Sequence, residues 1–97
     1  MLVISGTAQY QLDEGQYSKG DWHTFTLFSV NENFDAILDD VEAHLNELGW
    51  DDIFIGQAEL IADETQLDHS ILKQGFEKAL SQGMSVVMNN EAITSVA

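Results

Sequence analysis

The chain has 97 residues, enough for one compact domain (1–97) and too few for two. Apolar residues make up 44% of it, a normal share for a packed core, which speaks against intrinsic disorder. There is no Cys, which excludes disulfides, thiolate metal sites and thiol nucleophiles.

Charge is the unusual quantity. Seventeen Asp and Glu stand against three Lys and no Arg, for a formal net charge of −14 and a pI near 4.1. A small domain needs a net charge of only about 2–8 in magnitude for solubility, and the excess costs stability through self-repulsion. Nucleic acid and anionic membranes are disfavoured as partners, and a basic protein surface is favoured. Between Lys19 and Lys73 only His23, His44 and His69 are basic. Thirteen of the seventeen acids lie in that stretch. The first residues lack the basic residue and long apolar run of a signal peptide, and no run is long enough to cross a bilayer. A cytoplasmic protein is expected.

In chain order, residues 2–12 alternate, with Leu2, Ile4, Ala8, Tyr10 and Leu12 on one side and Ser5, Thr7, Gln9 and Gln11 on the other. That period of two predicts a half-buried strand. Turn formers from Asp13 to Gly20 lead to a second strand over 21–30, so a hairpin is the natural connection. Asn31 or Asn33 can cap a helix running to Leu48, where Phe34, Ile37, Leu38, Val41, Leu45 and Leu48 recur at helical spacing. Gly49 follows where a left-handed residue is needed. Residues 52–61 predict a third strand. A second helix should start near Asp63 or Thr65, where Asp63–Gln66 and Thr65–Asp68 both have capping-box spacing. Its apolar face would be Ile71, Leu72, Phe76, Ala79 and Leu80, and Gly83 would end it. Residues 84–89 predict a last strand, which the final residues extend or flank. The class is α+β with element order ββαβαβ. The single apolar face of each helix predicts a two-layer sandwich, two helices on one face of a four-stranded sheet.

The first helix carries the sharpest pattern. At 100° per residue from Phe34, Asp35, Asp39 and Glu42 fall at about 100°, 140° and 80°. Asp40 and Glu47 fall at about 240° and 220°, and only Ala36 and Ala43 lie between the two rows. Asp51 and Asp52, past Gly49, would continue this surface, and mimicry of a duplex would have to recruit acids of other elements such as Glu32, Glu59, Asp63 and Glu64. Trp22, Trp50, Phe25, Phe28, Phe54 and Phe76 read most simply as core or core-edge residues, while an exposed Trp50 beside Asp51 and Asp52 would serve as an aromatic interface anchor. An ordinary solvated helix face mixes signs through Glu–Lys pairs four apart, whereas here Asp35–Asp39 is repulsive.

Other chemistry finds little support. His44 lies four residues after Asp40 and three before Glu47, but a structural histidine on a helix shoulder is the simpler reading, and no metal or other cofactor is expected. The acids do not fall into a calcium-loop pattern. No phosphate loop, nucleophile elbow or pocketed carboxylate pair is present, so no enzyme activity is expected.

In size, acidity and the segment FDAILDDVEAHLNELGWDD, the chain resembles phage anti-CRISPR proteins, in particular the acidic DNA-mimic inhibitors of type I-F CRISPR surveillance complexes. The resemblance implies a phage- or prophage-encoded monomer in the bacterial cytoplasm. It would occupy the basic surface that holds duplex DNA near the site of PAM recognition. It also implies that the carboxylates meet Lys and Arg side chains that otherwise grip phosphates, with Lys73 and Lys78 turned away, whereas charge placement along the chain makes Glu32, Asp35, Asp39, Asp40, Glu42, Glu47, Trp50, Asp51 and Asp52 the expected contact surface. An immunity or antitoxin protein that neutralises a basic nuclease toxin would present the same acidic face and is the alternative.

Overall fold

The computed structural model describes residues 1–13, 15 and 17–93. Four strands, β1 (Leu2–Tyr10), β2 (Trp22–Ser29), β3 (Trp50–Leu60) and β4 (Met84–Met88), form one sheet in the order β3-β1-β2-β4. All neighbours are antiparallel, and α1 (Phe34–Glu47) and α2 (Ser70–Gln82) complete an α+β fold. The order ββαβαβ agrees with the pattern of the sequence. The final residues, past Ile93, lie outside the described residues.

The two helices do not share a face of the sheet. Leu2, Ile4, Ala8 and Tyr10 of β1 pack with Phe25 and Leu27 of β2 against Ile37, Val41 and Leu45 of α1. Val3 and Phe28, of opposite parity on the same strands, pack against Phe76 and Ala79 of α2. Side chains alternate along a strand, so the two clusters lie on opposite sides of the sheet. The expected two-layer sandwich is therefore corrected to three layers, α1, sheet and α2. The reason is visible in β1 and β2, where the runs Leu2-Val3-Ile4 and Leu27-Phe28 are buried at successive positions. A strand with one wet face cannot bury both parities.

The start of α2 also differs. The capping box at Asp63 forms: Asp63 accepts from Thr65 N at 2.9 Å, and Gln66 Oε1 accepts from the backbone of Asp63 at 3.4 Å. It caps only a single 3₁₀ turn, Glu64–Gln66, after which Leu67 is extended. Leu67 packs against the Val3–Phe28–Phe76 cluster, and the helix begins afresh at Ser70. From Phe76, Leu72, Ala79 and Gly75 fall within about 100° of arc, while Ile71 lies at about 140° on the same side and Leu80 about 40° on the other. Ile71 and Leu80 are accordingly 55% and 61% exposed, against the expected apolar face.

Helix α1 follows the sequence pattern closely. Asn33 is the cap, its side chain accepting from Ala36 N at 3.2 Å. Gly49 adopts φ +95° where the chain turns into β3. Strand β1 ends at Tyr10, so Leu12 leaves the core face and is 45% exposed.

Candidate partner-binding surface

Burial of Ile37, Val41 and Leu45 fixes which way α1 faces. Asp35, Ala36, Asp39, Asp40, Glu42, Ala43 and Glu47 are all exposed on its outer surface. Among the described residues the ion pairs are the Met1 amino group with Glu32 and Lys19 with Asp13, and neither reaches α1. The helix thus exposes five carboxylates with no cation beside them. From Asp35 to Glu47 it rises about 18 Å, or about one charge every 4 Å. That is about half the density of duplex DNA, which carries one per roughly 1.7 Å of axis.

The two rows border different depressions. Asp40 and Glu47 line an open groove of about 440 Å³, together with His44, Ser29, Gln82 and Met84. Asp39 and Glu42 border a second one, floored by Ile53 and Ile55 of β3. The hollows therefore flank α1, with exposed Ala36 between the two rows and Ala43 on the wall of the first groove. His44 shares the first groove with Asp40 and Glu47, yet among the described residues no three His, Asp or Glu side chains converge as metal ligands.

Glu32 is exposed beside α1, with its carboxylate held by the Met1 amino group. Asp51 and Asp52 do not extend the α1 surface together. Asp51 pairs with Gln9, which shares the parity of Val3, so Asp51 belongs to the α2 side of the sheet. Asp52 sits at a register break with φ +48°, and its N–H donates to Asp51 Oδ1 at 2.8 Å.

Trp50 is not an exposed anchor; it is 3% exposed. Its ring packs within 5.3 Å of Tyr10, Tyr17 and His23, centroid to centroid. His23 is buried as well, and its Nδ1 lies 2.7 Å from the Asn89 carbonyl oxygen. A carbonyl can only accept, so Nδ1 carries the proton. Trp50 opens β3 opposite Tyr10, whose side chain faces the α1 core, and this pairing turns the indole inward. The exposed aromatic is Phe54, 63% accessible, in ring contact with half-buried Trp22 at 5.8 Å. From sequence both read as core or core-edge residues, and Phe54 is corrected to the surface. The signal that could have separated Phe54 from Trp50 is the break at Asp51–Asp52, which shifts the parity of β3.

Lys73 and Lys78 lie on α2, across the sheet from α1. No described helix is long and apolar enough to cross a membrane. Comparisons with protein-family models, with curated proteins and with solved structures return no match for this chain.

Proposed function

We propose that this protein is an anti-CRISPR inhibitor that mimics double-stranded DNA. It binds the basic PAM-recognition surface of a type I-F surveillance complex in the bacterial cytoplasm and blocks target DNA. The observation that carries this reading is the outer face of α1. Five exposed carboxylates stand in two rows with no cation beside them, on a helix anchored by three buried side chains. Retaining that repulsion has a cost in stability, and a binding role for the charge accounts for it.

The contact residues on this reading are Asp35, Asp39, Asp40, Glu42 and Glu47, with Glu32 at the edge. They take the place of phosphates against Lys and Arg side chains of the partner. Such contacts supply much of a DNA binder's non-specific affinity, and the long-range field speeds arrival. The lower charge density of α1 relative to a duplex makes shape and rigidity part of the competition.

The test uses a purified type I-F surveillance complex and a labelled target duplex. The wild-type chain should abolish duplex binding. Replacing Asp39 and Glu42, or Asp40 and Glu47, by Lys should weaken inhibition about tenfold or more per pair, because each reversal turns an attraction into a repulsion. Full inhibition by both variants, with unchanged circular dichroism, rejects α1 as the contact surface. No inhibition by the wild-type chain rejects the function itself.

A further inference from the structure

Among the described residues, the side of the sheet that α2 occupies is only partly covered. Helix α2 lies over β4 and β2, and Leu67, just past the 3₁₀ turn, packs on the cluster that contains Val3. Beyond them the ladder runs Phe54–Thr7–Thr24 and, one step on, Asp51–Gln9–Trp22. Phe54 and Trp22 meet across this diagonal. Ser5, Thr26, Gly56 and Gln57 line a shallow depression beside them, low because Gly56 has no side chain. The patch combines an exposed aromatic ring, hydroxyl and amide oxygens that accept hydrogen bonds, and Asp51 at its margin. Of the three lysines, Lys78 lines a hollow on β4 at the opposite edge of the sheet, Lys73 sits near Glu64, and Lys19, in the turn next to the Gln9 end of the patch, is paired with Asp13 at 3.4 Å.

We propose that this open face is a second contact surface, and that its occupant is an extended, arginine-bearing segment of a basic protein. Charge complementarity selects that occupant. A chain of net charge −14 draws cationic partners, and a second copy, which has no Arg and the same excess of acid, is repelled. Among cations, arginine matches the patch best. Its planar guanidinium stacks on an aromatic face while its N–H groups donate outward, here to Thr, Gln and Asp51 oxygens. A lysine ammonium, more strongly hydrated, gains less from the ring. The inference deepens the proposed function by giving the basic partner a second point of attachment, on the side of the sheet opposite α1.

The experiment is a titration of the isotope-labelled protein, followed by amide chemical shifts. The probes are an end-blocked peptide of alternating Arg and Thr and its Lys-for-Arg twin. The Arg peptide should shift Thr7, Trp22, Phe54 and Gln57 and bind more tightly than the Lys peptide. Phe54→Ala should weaken the Arg peptide about fivefold and bring the two peptides level. Phe54→Thr keeps strand propensity and gives the same readout should the alanine variant unfold. Unchanged Arg affinity in either folded variant overturns the inference. Shifts confined to α1 overturn it too, while leaving the α1 reading intact. Dimerisation in sedimentation that is lost in Phe54→Thr would assign the face to a second copy and overturn the arginine occupant.

Discussion

Gly75 stands where α2 comes nearest the sheet. A Cβ there would lie 2.8 Å from both Phe28 Cε2 and Val87 Cγ2, and Phe28 is fully buried with nowhere to withdraw. The neighbouring contact is as close: Ser85 Oγ donates to the Gly75 carbonyl from β4. Two effects compete in Gly75→Ala. Alanine gains roughly 0.8–1 kcal/mol of helix propensity, while overpacking costs typically 1–3 kcal/mol. With both obstructing groups held by the sheet, overpacking should win, and urea unfolding should show a net loss of about 1–2 kcal/mol. A gain in stability would mean that α2 can ride outward from the sheet, and that its packing is looser than these distances imply.

At the scale of elements, the segment joining β3 to α2 couples stability to pH in two opposing ways. Asp63 has its pKa lowered by hydrogen bonds from the Thr65 side chain and backbone. Its contribution is present above the ordinary value of 3.8 and is lost as pH falls through the lowered one. Glu64 has its pKa raised, first by hydrogen bonding with Glu77, then by burial and by repulsion from the same carboxylate. A raised carboxyl favours the folded state when protonated, so its contribution is present below 4.5 and is lost as pH rises through the folded value. Glu64→Gln mimics the protonated form. It should raise the thermal midpoint at pH 7, and the gain should disappear as the pH is brought below 4.5. An equal gain at both pH values would show that the two carboxyls do not share a proton.

How far these elements were legible follows from the same region. Helix α1 has one cap, one glycine stop and a regular apolar repeat, so its bounds and its carboxylate rows could be read directly. The capping box at Asp63 is equally clear as a local signal, but a cap records only that some turn begins. Whether that turn continues depends on Leu67, which gains more by entering the core in extended form. The opposite placement of the helices was recoverable in principle from the doubly apolar run Leu2-Val3-Ile4. It was obscured because Ser5, Thr7 and Gln9 make the rest of β1 look half wet, as indeed it is where α2 does not reach. The inward turn of Trp50 and outward turn of Phe54 depend on register with β1, which no single-strand pattern contains.

For the whole molecule, charge acts on folding and on binding with opposite signs, and salt separates the two. The folded chain holds a net −14 within a radius of gyration of 13.2 Å, so its carboxylates repel across distances comparable to the Debye length of about 10 Å at 0.1 M salt. Added NaCl should therefore stabilise the fold. Several like-charge neighbours at roughly 0.2–0.5 kcal/mol each suggest a gain on the order of 1 kcal/mol between low and half-molar salt, read from urea midpoints. The same salt should weaken attachment to a basic partner, because each screened contact loses attraction. Near pH 4, close to the pI of 4.1, the first effect should nearly vanish, since the net charge is then close to zero. A fold that loses stability with NaCl at pH 7 would imply that attractive pairs outweigh the repulsion. The uncompensated carboxylates of α1 argue against that result, and they are the same groups on which the proposed mimicry depends.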